Sequence, residues 1–253
     1  MSAIAMGSLV FVCTFGGFVI GMLLQAVIPQ HHVGNDSKDT IKLAIGIVAT
    51  MTALVLGLLT ATVKASFDSL TKDLGQTSAE ILILDRTLAR YGPETKEVRE
   101  DLQRLVGKRL ALTWPEDSAN TQLLDTVNAT QVTEALADHI RNLSPQNDDQ
   151  RWFKSRAEDQ AEHLLSERWL VLSSANTAVP APFLAILTFW LSVTFLSWGL
   201  FAPRNSTVIA VLLVCALSVG GAIFLIVEMD APFEGTIKVS PEALRYAYSH
   251  INQ

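Results

Sequence analysis

Charge is scarce in this 253-residue chain, 17% of positions, and it is missing in blocks. Residues 1–30, 43–63, 169–203 and 205–227 hold no Asp, Glu, Lys or Arg. Water does not impose such blocks, whereas a lipid interior does. A run of ~20 apolar residues rising ~1.5 Å each as helix matches a hydrocarbon core ~30 Å thick. Cysteine is nearly absent as well. Cys13 and Cys215 both fall in uncharged blocks, which excludes a disulfide framework and leaves them as small residues packed between helices. No proline occurs between Pro29 and Pro93, so nothing interrupts a helix over residues 41–91. With 19 basic against 25 acidic residues there is no basic footprint, and nucleic acid is not an expected partner. Hydrolase elbow, P-loop, glycine-rich nucleotide fingerprint, CxxC and HExxH are all missing. The chain is therefore not expected to be an enzyme, nor to need a cofactor.

What is present divides sharply. Residues 64–168 carry 14 Lys/Arg and 19 Asp/Glu, so a water-soluble segment interrupts the apolar blocks. The expected fold is all-α: a four-span transmembrane protein with a helical cytoplasmic domain between spans 2 and 3. A transmembrane hairpin over 1–63 holds spans at about 8–28 and 42–63. The helical domain covers 64–181, a second hairpin over 182–228 holds spans at about 183–202 and 207–227, and a tail covers 229–253. The first apolar run lacks a basic leader and is too long for a secretion signal, so it is read as a retained span. Pro29 stops that span, while Ser37 and Asp39 offer N-cap oxygens to the second. Pro180 and Pro182 prepare the third, and Pro203-Arg204-Asn205 turns tightly into the fourth.

Near the span ends, Lys64, Lys72, Arg168, Lys238 and Arg245 lie on one side and Lys38, Lys42 and Arg204 on the other. This modest bias places the middle domain and both termini in the cytoplasm. Within the middle domain, Gly92-Pro93-Glu94 is a stop-and-restart signal, with further helices expected over 94–112, 120–143 and 148–173.

The second span is expected to leave the membrane as one long helix. Its outer part repeats apolar residues at heptad spacing, Phe67, Leu70, Leu74, Ile81, Leu84, Leu88 and Tyr91, broken only by Thr77. Such a seam requires a partner helix from the same chain or a neighbouring copy. Traced back into the membrane, the register meets Gly46, Ala53 and Thr60, with Thr50, Gly57 and Lys64 one ridge over. Small residues at this spacing most often let helices pack closely; the other use is a pore wall with hydroxyls facing ions. Gly17 and Gly21 in the first span are read as packing.

Among other candidates, Glu228 and Asp230 close the fourth span. They are read as solvated or Arg/Lys-paired acids at the membrane edge, followed by a turn at Pro232-Phe233-Glu234-Gly235. His31, His32, Asp36 and Asp39 lack the spacing of a metal site, and no metal is expected. Asp85-Arg86 is read as forming an internal ion pair with another helix.

Several motifs resemble the bestrophin-like family of four-span membrane proteins: Asp39 to Leu43 with Gly46 to Lys64, Leu84 to Glu94, Phe201 to Asn205, and Pro232 to Gly235. The likeness covers nearly the whole chain, and members are mostly bacterial, which implies a bacterial inner membrane as the location. It also implies a distant relation to bestrophins, pentameric anion channels with the same order of spans, whose second span lines the pore. Two features depart from those channels. Their pore narrows at bulky apolar residues, whereas this stripe is small and polar. Their Pro-Phe-Gly turn leads into an acidic calcium clasp, whereas here only Glu234 follows Phe233.

The expected function is a homo-oligomeric, anion-favouring ion channel conducting along the second span, its partners being the bilayer, other copies of itself (a pentamer by resemblance) and small ions. Pore-lining candidates are Gly46, Thr50, Ala53, Gly57, Thr60 and Lys64, with Phe67 as a hydrophobic constriction. The alternatives are a non-conducting membrane scaffold that presents its helical domain to a partner, and a proton-coupled carrier using Glu228.

Overall fold

The structure, a computed structural model, describes residues 2–27, 35–115, 135–174, 179–233 and 235–253, with 35–38 and 165–174 as backbone only. Helix α1 is Ala3–Val27, α2 is Asn35–Tyr91, and α3 is Lys96–Thr113 after a single 3-10 turn at Pro93–Thr95. A helix whose described part is 135–141 is α4. Then follow α5 Asp148–Ser174, α6 Ala181–Phe201, α7 Ser206–Asp230 and α8 Glu242–His250. No strand occurs among the described residues. The remainder of the helix expected over 120–143, and Pro29, His31 and His32, lie outside the described residues.

Two boundaries differ from expectation. Helix α2 is already wound at Asn35, so Ser37 and Asp39 lie inside it rather than at its start. A cap contributes only ~1 kcal/mol, too little by itself to fix where a helix starts. Helix α6 starts at Ala181, with Pro182 tolerated in the first turn where its missing N–H has no partner to lose.

The chain divides into two compact units, one of residues 1–67 with 178–238, the other of 68–177 with 239–253. Four helices, α1, α2, α6 and α7, are long and apolar enough to cross a membrane. In the first unit α1 is the hub, packed against both α6 and α7. Glycines set those contacts. A Cβ on Gly21 would stand 2.0 Å from the carbonyl oxygen of Leu196, and one on Gly199 would stand 2.1 Å from that of Phe18. Gly17 and Gly7 are closely faced as well, a Cβ there standing 2.8 Å from Ser192 O and 2.9 Å from Gly220 O. In lipid, where apolar side chains gain nothing by leaving solvent, such backbone approach supplies the dispersion contacts that hold helices together. Phe18, Phe195 and Ala216 fill one buried cluster; Val10, Leu184, Leu191, Ile223 and Ile226 fill another.

The α6–α7 turn serves three helix ends. Arg204 Nη2 donates to the carbonyl of Met22 in the last turns of α1 at 2.7 Å, and its Nε reaches Gln25 Oε1 at 3.3 Å. Gln25 Nε2 donates to Ala202 O at 3.3 Å, and Asn205 Oδ1 accepts from Val208 N at 2.8 Å as the cap of α7. The polar groups left over at helix termini are thereby met where water is scarce.

In the second unit the heptad seam of α2 is covered by its own chain: Leu74, Thr77, Ile81, Leu84, Leu88 and Tyr91 are all buried. Thr77 fits because its hydroxyl donates to Asp73 O at 2.9 Å. Asp85, fully buried, receives Arg99 of α3 through two hydrogen bonds of 2.7 and 3.0 Å, the internal pair expected for it. Gly92 ends α2 at φ 142°, a conformation open to glycine and strained for any side chain. Thr95 Oγ1 then donates back to Leu88 O at 2.7 Å, and Gln150 Nε2 to Tyr91 O at 3.1 Å.

Gly21→Ala is expected to lower the melting temperature in detergent by about 2 to 10 °C, an overpacking cost of ~1–3 kcal/mol. Gly16→Ala, whose Cβ would meet nothing within 4 Å, should leave it unchanged. Fluorescence-monitored melting of both variants is the check.

Candidate ion pathway

At ~100° per residue the membrane part of α2 presents three faces. Gly46, Thr50, Ala53, Gly57, Thr60 and Lys64 fall within about 40° of one line, with Phe67 about 60° to one side. All six are exposed, and Phe67 is half-buried. Turned about 100° in one direction lie Leu43, Ile47, Leu54 and Leu58, with exposures of 73, 58, 73 and 68%. Turned as far the other way lie Thr52 and Val63, buried, and Leu56 and Leu59, packed on the cluster around Val10 and Ile223. Only this third face is served by the chain itself. In the most apolar window of α2, 6% of residues are buried, against 33% in α1 and 39% in α6.

The stripe is therefore not used for packing within the chain. No atom stands within 4 Å of where a Cβ on Gly46 or Gly57 would be, in contrast to Gly7, Gly17, Gly21, Gly199 and Gly220. Thr50 and Thr60 donate their hydroxyl protons to the carbonyls of Gly46 and Leu56, both at 2.8 Å. Each hydroxyl oxygen keeps an acceptor side, and the proton can be turned outward to an anion at the loss of that local bond. Lys64 ends the stripe one helical turn before Phe67.

Glu228 corrects its sequence reading. Its exposure is 6%, and its partners are main-chain donors rather than solvent: Oε1 accepts from the N–H of Thr236, and from that of Ile237 at 3.4 Å. The turn folds over the carboxylate because Gly235 adopts φ 81° and lacks a Cβ, which would stand 2.3 Å from Oε1. The clue was a glycine seven residues after the acid, past a proline; its meaning depends on where the turn lands. Asp230 Oδ2 accepts from Val179 N at 2.9 Å, joining the end of α7 to the approach to α6. Asp39, considered for a metal, instead lies 3.8 Å from Lys42, and no cluster of three or more possible metal ligands occurs among the described residues.

The sequence matches the bestrophin-like domain over residues 12–244. The chain belongs to the bestrophin-like family. Its fold is that of a bacterial bestrophin homolog from Klebsiella pneumoniae. One crystal structure of a variant of that protein superposes with a TM-score of 0.69 at 14% identity, covering 96% of this chain and 97% of that one. A second variant gives 0.63 at 16% identity with 97% of each chain covered. A zinc-phased structure gives 0.61 at 16%, covering 93 and 94%. No curated protein matches the sequence. Family and fold are consistent with a membrane ion channel.

Glu228→Ala strips the Thr236 N–H of its acceptor and should destabilise the chain by ~1–3 kcal/mol. Glu228→Gln, which keeps a carbonyl oxygen there, should cost less. Melting temperature and the rate of protease cleavage within 231–238 measure both.

Proposed function

We propose that this bestrophin-like protein is a homo-oligomeric ion channel of a bacterial inner membrane, with its termini and polar unit in the cytoplasm. Copies surround a common axis faced by the Gly46–Lys64 stripe, and the copy number carried over from the family is five. The observation that carries the reading is that Gly46, Thr50, Ala53, Gly57, Thr60 and Lys64 form one continuous line on α2 that is exposed throughout, while most of the glycines of α1, α6 and α7 meet backbone of their own chain. Small side chains leave a lumen between close-set helices, and hydroxyls replace part of an ion's hydration shell.

Selectivity in this reading comes from Lys64. A ring of cations at one mouth raises the local anion concentration, an effect that weakens with salt. Phe67, one turn further, narrows the exit and holds it dry when closed. The scaffold reading draws support from Trp152, 62% exposed on α5, which offers a partner an apolar contact. It requires the α2 stripe to be consumed in helix contacts, and no described helix of its own chain covers it. A carrier based on Glu228 loses its motive, since that carboxylate is engaged by main-chain N–H groups.

Purified protein in planar bilayers should carry current, with a reversal potential in a chloride gradient displaced toward the chloride equilibrium value. Lys64→Glu should move that potential by tens of millivolts toward cation preference. Silence at every voltage, or a potential indifferent to Lys64→Glu, would sink the corresponding half of the proposal.

A further inference from the structure

The outer end of the membrane unit contains a cleft of about 580 Å³ between α2 on one side and α6 and α7 on the other. Ile45, Gly46 and Ala49 form the α2 wall, and Trp198, Phe201 and Val208 stand opposite. Its lining is predominantly apolar, with Lys42, Ser197 and Thr207 the polar members, and the cleft is open, so a bulky apolar group can enter it. The small residues Gly46 and Ala49 hold it open, and Trp198 remains 42% exposed beside it.

We infer that the cleft is the socket for a second copy of this chain, filled by Leu43 and Ile47 of the neighbouring α2. Three observations point to that occupant. The ridge of Leu43 and Ile47 lies at the same height on α2 as Ile45, Gly46 and Ala49, so no shift along the membrane normal is needed. The ridge is exposed, and it flanks the stripe on the side opposite the cleft. When the stripe faces an axis, the ridge of each copy is turned toward the cleft of the next. Such a contact joins two different surfaces head to tail, the kind that builds a ring when the rotation between copies closes, unlike a two-fold pairing of like with like.

Charge follows the same geometry. Asp39 lies on the ridge side of the stripe and Lys42 on the cleft side. Within one chain they approach only to 3.8 Å with side-chain exposures of 80 and 60%, a weak pair. In the ring Asp39 of one copy falls beside Lys42 of the next, giving each charge a partner across the joint. The contact is built as membrane contacts are, from small residues on one surface receiving bulky ones from the other.

This inference rests on the axis-facing reading of α2, and the test separates the two. In a background carrying Cys13→Ala and Cys215→Ala, differently tagged L43C and V208C chains are co-expressed and oxidised. A covalent dimer joining the two tags, with none from either variant alone, is the expected result. V214C, on the 60% exposed lipid side of α7, should give no dimer with L43C. Ala49→Trp, which fills the socket, should lower the fraction of intact ring by native mass several-fold while the melting temperature of the monomer is retained. No mixed dimer, from a protein that still shows ring mass and current, overturns the socket and leaves the pore standing. Dimers from L43C alone show a two-fold contact and overturn it as well, as does native mass showing a phospholipid retained by each copy with cross-linking absent. Monomer mass with no current removes the axis-facing reading itself.

Discussion

Helices in a bilayer are not driven together by aversion to solvent, because a leucine is as much at home among lipid tails as among protein side chains. They associate where backbones can come close. In this chain the close approaches are concentrated on α1, through Gly7, Gly17 and Gly21 against α7 and α6. Once α1 has fastened that three-helix group, α2 is the span with the least of its surface covered. The exposure of the stripe, the ridge and the cleft all follow from that allocation of contacts.

Helix α2 shows the solvent change along a single rod. In the membrane half, Leu43, Ile47, Leu54 and Leu58 point outward and Thr52 and Val63 inward. In the polar half, Ile81, Leu84 and Leu88 point inward and water receives the charged residues. The same helix geometry serves both because lipid tolerates apolar surface, whereas water expels it at roughly 25 cal/mol per Å². Asp85 lies in the half where burial is enforced, and Arg99 gives it the two hydrogen bonds without which a buried carboxylate would be strongly destabilising.

The motifs that signalled the family turn out to be joints rather than chemistry. Gly92 with Thr95 stops α2 and starts α3, Arg204 with Asn205 finishes α1 and opens α7, and Gly235 folds the tail across Glu228. Each meets backbone groups that would otherwise lack partners at a helix end. Joints of this kind set the direction of a helix and leave its exposed face free to vary. A stripe of small hydroxylic residues can thus occupy a fold shared at 14% identity with the Klebsiella homolog.

The sequence alone determined the four apolar helices, the unbroken run of α2 out of the membrane and the polar insert. These depend on local runs and on periodicity, which a chain carries wherever it folds. It could not say that Glu228 lies buried under its own tail, because nothing between the acid and Gly235 fixes where the turn lands. Nor could it distinguish Gly57 from Gly17, since both occur at spacings that suit close packing. Only the tertiary structure separated them, because a glycine's role is decided by what stands opposite it: the carbonyl of Ser192 for one, open space for the other.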